Sequence, residues 1–78
     1  MNVKIMHVDE RLYVLDRDTD DPIKGRFGYP IALEYGGLIT YEEAMADLIR
    51  ETLRLGHVIQ EIDGQTSFVL SQISYFLG

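Results

Sequence analysis

Apolar and polar residues alternate over two short runs near the start of the chain, residues 3–8 and 11–16, separated by the polar pair Asp9-Glu10. A period of two sends successive side chains to opposite faces of a strand, with Leu12 and Val14 on one side of the second run and Tyr13 and Leu15 on the other. The pattern predicts a first hairpin. The stretch from Asp16 to Pro22 is too polar to bury, and Pro22 lacks the N–H a ladder needs, so an exposed loop is expected there. Gly25, Gly28 and Pro30 punctuate residues 22–30, and the run 31–35 suggests a third strand ended by Gly36-Gly37.

The period then changes. Thr40 followed by Tyr41-Glu42-Glu43 has the spacing in which a threonine hydroxyl accepts from a free N–H of the first helical turn and the glutamate reaches back to another. Steps of about 100° per residue over 41–55 gather Tyr41, Ala44, Met45, Leu48, Ile49, Thr52, Leu53 and Leu55 on one half, opposite Glu43, Asp47, Arg50, Glu51 and Arg54. Gly56 supplies the left-handed stop. Beyond it, runs 57–62 and 65–70 flank Asp63-Gly64, a pair suited to a tight hairpin turn because both positions tolerate positive φ. The tail 71–77 reads equally as a strand or a short helix. The order β-β-β-α-β-β therefore predicts one α+β domain over 1–78, a small single-layer antiparallel β-sheet with one amphipathic helix packed on one face.

Composition narrows the functional classes. The chain has 46% hydrophobic and 26% charged residues, the balance of a folded domain. It has no cysteine, which removes disulfides and thiolate metal sites and points to the reducing cytoplasm. No apolar run is long enough to suggest a signal peptide or a membrane span. Thirteen acidic residues against seven basic ones leave a net charge of −6, whose field repels nucleic acid and anionic lipid, so neither direct nucleic-acid binding nor membrane binding is expected.

Candidate chemistry is sparse. Asp16, Asp18 and Asp20 occupy the first, third and fifth positions of a calcium loop, but the sixth, which needs glycine for its turn, holds Asp21, the seventh is Pro22, and the twelfth, which needs a bidentate glutamate, holds Phe27. A solvated acidic loop or a partner-facing loop is expected instead. His7 and His57 have no ligating partner at metal spacing, and His57, which follows the helix C-terminus, is expected to cap it through its imidazole ring. Ser67, Ser71 and Ser74 lack a glycine-flanked elbow or a neighbouring base. Lys24, Arg26, Phe27 and Tyr29 resemble a stacking patch for single strands, but two cations are too few for that role.

No cofactor and no catalytic group is expected, and charge carries the remaining information. Asp16, Asp18, Asp20 and Asp21 in the loop, with Glu43, Asp47 and Glu51 on the helix, would steer a basic protein surface if they lay on one side. The leading expectation is a small acidic non-enzymatic module that occupies a basic nucleic-acid-binding site of a partner protein, in the manner of phage or mobile-element inhibitors of CRISPR or restriction machinery. The alternatives are a regulatory or antitoxin-like subunit, docking on a partner or as a homodimer through Tyr75-Phe76-Leu77 and Leu53, and an enzyme with carboxylate chemistry.

Overall fold

The computed structural model describes residues 1–63. They form four strands and one helix, β1 (Asn2–Val8), β2 (Arg11–Asp16), β3 (Ala32–Glu34), α1 (Tyr41–Arg54) and β4 (Val58–Ile62). The expected α+β architecture, one sheet with one helix on its face, is the architecture found. The returning strand at 65–70 and the tail at 71–77 lie outside the described residues.

The first hairpin has the register the alternation demands. Val3 pairs with Asp16, Ile5 with Val14 and His7 with Leu12, so Val3, Ile5, Leu12 and Val14 share one face, and all four are buried. Asp9 turns the chain at φ 55, which an aspartate tolerates. β3 adds antiparallel to β2 through Leu12↔Leu33 and its neighbours, completing the order β3-β2-β1-β4.

One pairing departs from the antiparallel expectation: β4 runs parallel to β1. The cause is the crossover. A helix that returns along the sheet makes the next strand run in the direction of the strand before it. β3 is antiparallel to β2 and β2 to β1, so β3, β1 and β4 all point the same way and the sheet is mixed. A register shift between Val3 and Lys4 leaves Gln60 unpaired opposite β1, and this bulge brings both Ile59 and Ile62 to the buried face despite their odd spacing.

α1 lies across that face and buries Ala44, Met45, Leu48, Ile49 and Thr52. Its start is the predicted one: Glu43 N–H donates to Thr40 Oγ1 at 3.1 Å. The reciprocal bond differs from expectation, because the Glu43 carboxylate accepts from the Thr40 hydroxyl at 3.1 Å and not from its backbone. At the other end Gly56, at φ 88, lets its own N–H and that of His57 reach the Leu53 and Thr52 carbonyls.

The segment between β2 and β3 is more ordered than its composition suggests. Val14 N–H donates to Ile31, Ile31 N–H to Ile23 and Ile23 N–H to Val14, a closed ring of three backbone bonds of 2.9–3.1 Å. It sets Ile23 and Ile31 into the core. Both prolines sit opposite residues at non-hydrogen-bonded positions, Pro22 across from Leu15 and Pro30 across from Lys24, where a missing N–H costs nothing.

Candidate functional site

The seven carboxylates singled out from sequence do not share a face. Asp16 is spent on its own turn, its Oδ1 accepting from the Asp18 and Thr19 N–H groups at 2.8 and 3.1 Å. Those bonds hold its carboxyl below the ordinary carboxylate value. Asp20 is ion-paired with Lys4, and Asp21 N–H donates to Thr19 Oγ1 at 3.3 Å. Lys4 alternates with the buried Val3 and Ile5, so this loop leans toward the sheet face that α1 does not cover. Asp47 and Glu51 lie on α1, on the other side, and are neutralised there: Asp47 pairs with Arg50, and Glu51 pairs with Arg54 at 3.1 Å and Arg26 at 3.8 Å. Glu43 sits in the first turn of the helix. Among the described residues no group of three or more His, Asp or Glu side chains could hold a metal ion.

Carboxylates with no cation within 4.0 Å among the described residues lie in two places, Asp16, Asp18 and Asp21 in the loop and a larger group at one end of the sheet. Six of the seven basic side chains are already in ion pairs. Among the described residues, Asp9, Glu10, Glu42, Glu43 and Asp63 have no cation within 4.0 Å, and the fold brings all five to one end. Asp9 and Glu10 make the β1–β2 turn, and Asp63 closes β4, its N–H donating to the Ile5 carbonyl at 2.6 Å. Glu42 and Glu43 open α1 at that same end, because Tyr41 packs on His7 near the end of β1.

Beneath this acidic rim is an aromatic cluster that sequence reading missed. His7, Tyr35 and Tyr41 come from three elements and meet with ring centroids 5.3–5.4 Å apart. The Tyr35 hydroxyl is hydrogen-bonded to His7 Nε2 and lies 3.3 Å from the Asp9 carbonyl. Tyr35 N–H also bonds the Glu10 carbonyl at 2.9 Å. Burial, helped by the nearby Asp63, Tyr35 and Glu42, pushes the Tyr41 phenol above its ordinary value and keeps it protonated. With His7 Nε2 engaged by Tyr35, these rings brace the acidic turn against the helix. Nothing in the sequence marked the cluster, because its three rings come from a strand end, a loop and a helix start.

A second feature lies toward the other end of α1. A groove of about 470 Å³ runs between the helix and the segment 25–33, floored by Ile31, Leu33 and Leu48. Phe27 and Tyr29 stand at its rim 82% and 75% exposed. Of the residues singled out in sequence, Asp47 and Glu51 face this groove together with Arg26, Arg50 and Arg54. His57, expected to work at the helix C-terminus through its ring, caps it through its backbone N–H, and its Nδ1 is buried without a hydrogen-bond partner among the described residues.

No protein-family model, no curated protein and no solved structure matches the chain. The class established is therefore that of the fold, a small α+β domain with a mixed four-stranded sheet. Among the described residues no helix is long and apolar enough to cross a membrane.

Proposed function

We propose that this chain is a non-enzymatic protein-binding module that occupies a basic, nucleic-acid-binding surface of a partner protein, as phage or mobile-element inhibitors of CRISPR or restriction enzymes do. The observation that supports it is the convergence of Asp9, Glu10, Glu42, Glu43 and Asp63, none with a cation within 4.0 Å among the described residues, on one end of a chain of net charge −6. Carboxylates held together by a hairpin turn, a helix start and a strand end concentrate negative field at that end, and such a field speeds encounter with a basic surface. Of the loop residues, Asp18 and Asp21 have carboxylates with no cation within 4.0 Å among the described residues, whereas Asp16 and Asp20 are engaged in the fold.

The test is capture of partners from a host lysate with the wild-type chain and with a variant carrying Glu10→Gln, Glu42→Gln and Asp63→Asn. The expected result is a nucleic-acid-binding protein held by the wild type, lost by the variant, and released by added oligonucleotide or high salt. Identical retention on both chains, or retention indifferent to oligonucleotide, would rule the reading out.

A regulatory subunit that docks through apolar surface is a second reading, favoured by the exposure of Phe27 and Tyr29. Leu53, expected to serve that docking, packs against the core, and Tyr75-Phe76-Leu77 lies outside the described residues.

A further inference from the structure

The groove beside α1 has the opposite electrostatic character from the acidic end. Arg26, Arg50 and Arg54 face it against two carboxylates, and Glu51 alone serves both Arg26, at 3.8 Å, and Arg54, at 3.1 Å. Two guanidiniums share one carboxylate, so one positive charge has no counterpart among the described residues. Three of the seven cations of an acidic chain thus collect around one apolar-floored depression.

We infer that this groove receives an extended segment of a partner protein in which an acidic side chain neighbours a bulky apolar one. The apolar side chain would settle on Ile31 and Leu48 between the rims of Phe27 and Tyr29, and its carboxylate neighbour would complete the pairing of Arg26 and Arg54. A volume of about 470 Å³ is within the range of small recognition pockets, roughly 300–1,000 Å³. Exposed aromatics beside arginines are the composition from which binding hot spots are built. β3 is the outermost strand on this side of the sheet, so an extended chain laid along it meets an edge with no strand neighbour among the described residues.

A single strand of nucleic acid fits less well. It brings one charge per nucleotide, whereas Asp47 and Glu51 already sit in the groove and the rest of the surface is strongly negative. One carboxylate matches the uncompensated charge, and a polyanion does not. The inference is independent of the acidic end, which carries the other sign and a different set of residues.

The experiment titrates the full chain into a fluorescein-labelled glycine–serine peptide with a central phenylalanine–glutamate pair and reads anisotropy. Saturable binding is expected, weakened about fivefold or more when the peptide's glutamate becomes glutamine or its phenylalanine alanine, and by Phe27→Ala or Arg26→Gln in the protein. Glu51→Gln should tighten it, because the two guanidiniums lose their internal competitor. Glu10→Gln with Glu42→Gln should leave it unchanged, which separates this site from the acidic end. Phe27 is 82% exposed, so its replacement leaves the fold intact. Absence of saturable binding, equal binding of the glutamine peptide, or tighter binding of a labelled oligothymidylate overturns the inference.

Discussion

Tyr41 has three roles in one side chain: it is the first residue of α1, a wall of the aromatic cluster, and a phenol whose ionisation the fold resists. Its pKa lies above the ordinary 10.0 because burial and the carboxylate of Asp63 disfavour the phenolate. The unfolded phenol ionises first as pH rises, so the stabilisation is fully present below about pH 10 and is lost as pH climbs through the folded value. Tyrosinate absorbance should therefore show a component titrating above the usual phenol range that disappears in Tyr41→Phe. The same variant should lose less stability on moving to alkaline pH than the wild type. A wild-type titration without a late component would mean that Tyr41 faces water. Thr52 shows a quieter kind of burial: wholly inside, its hydroxyl donates to the Leu48 carbonyl at 2.7 Å, so a polar atom enters the core without a lost bond.

Among the elements, α1 depends most on local chemistry. Thr40 accepts from the Glu43 N–H and donates to its carboxylate, so removing the hydroxyl strips one N-terminal amide of its acceptor. Thr40→Ala is expected to cost about 0.5–2 kcal/mol in chemical denaturation, with Thr40→Ser close to wild type. Equal midpoints for all three chains would show that the cap contributes nothing. The segment 22–31 behaves in the opposite way. Gly25 and Gly28 close a turn through the Gly28 N–H to Gly25 carbonyl bond of 3.1 Å, and the ring of bonds among Val14, Ile23 and Ile31 holds the turn against β2. What reads as a loop is in effect an extra, very short pairing on the sheet edge.

For the whole molecule the balance is between a small core and a large surface charge. Among the described residues, twelve buried apolar side chains form a single cluster between the sheet and α1, and a chain of this length keeps a net stability on the order of a few kcal/mol. Ile5 is fully buried in β1, flanked by Val14 on one side and Ile62 on the other. Ile5→Val should cost about 0.5–1.5 kcal/mol and Ile5→Ala about 2–5 kcal/mol, enough to unfold most of the population. Circular dichroism and urea titration distinguish the two, and a cooperative, fully folded Ile5→Ala chain would place the core elsewhere. The charge is organised on the same scale. Cations are nearly all consumed in ion pairs, so the net negative charge is expressed as carboxylates without a cation partner among the described residues, while the groove beside α1 keeps a local positive excess.

The amino-acid sequence by itself determined the β1–β2 hairpin, the start and buried stripe of α1, its glycine stop and the inward-facing residues of the first two strands. Each of these depends on contacts between residues a few positions apart, and periods of two or 3.6 record such contacts directly along the chain. Asp63, at φ 53, likewise has the conformation its turn signal implied. Tertiary structure alone decided the rest. It made β4 parallel to β1, because strand direction is set by where the crossover returns. It divided the acidic residues, because ion pairing between Asp20 and Lys4 or Glu51 and Arg26 joins residues far apart in sequence. Lys24, Arg26, Phe27 and Tyr29 stood out in sequence as a patch with too few cations, and only packing against α1 set Arg50 and Arg54 beside Arg26, Phe27 and Tyr29. His7, Tyr35 and Tyr41 carried no shared signal, since a site assembled from a strand end, a loop and a helix start has no period, and its existence depends on which ends the sheet topology brings together.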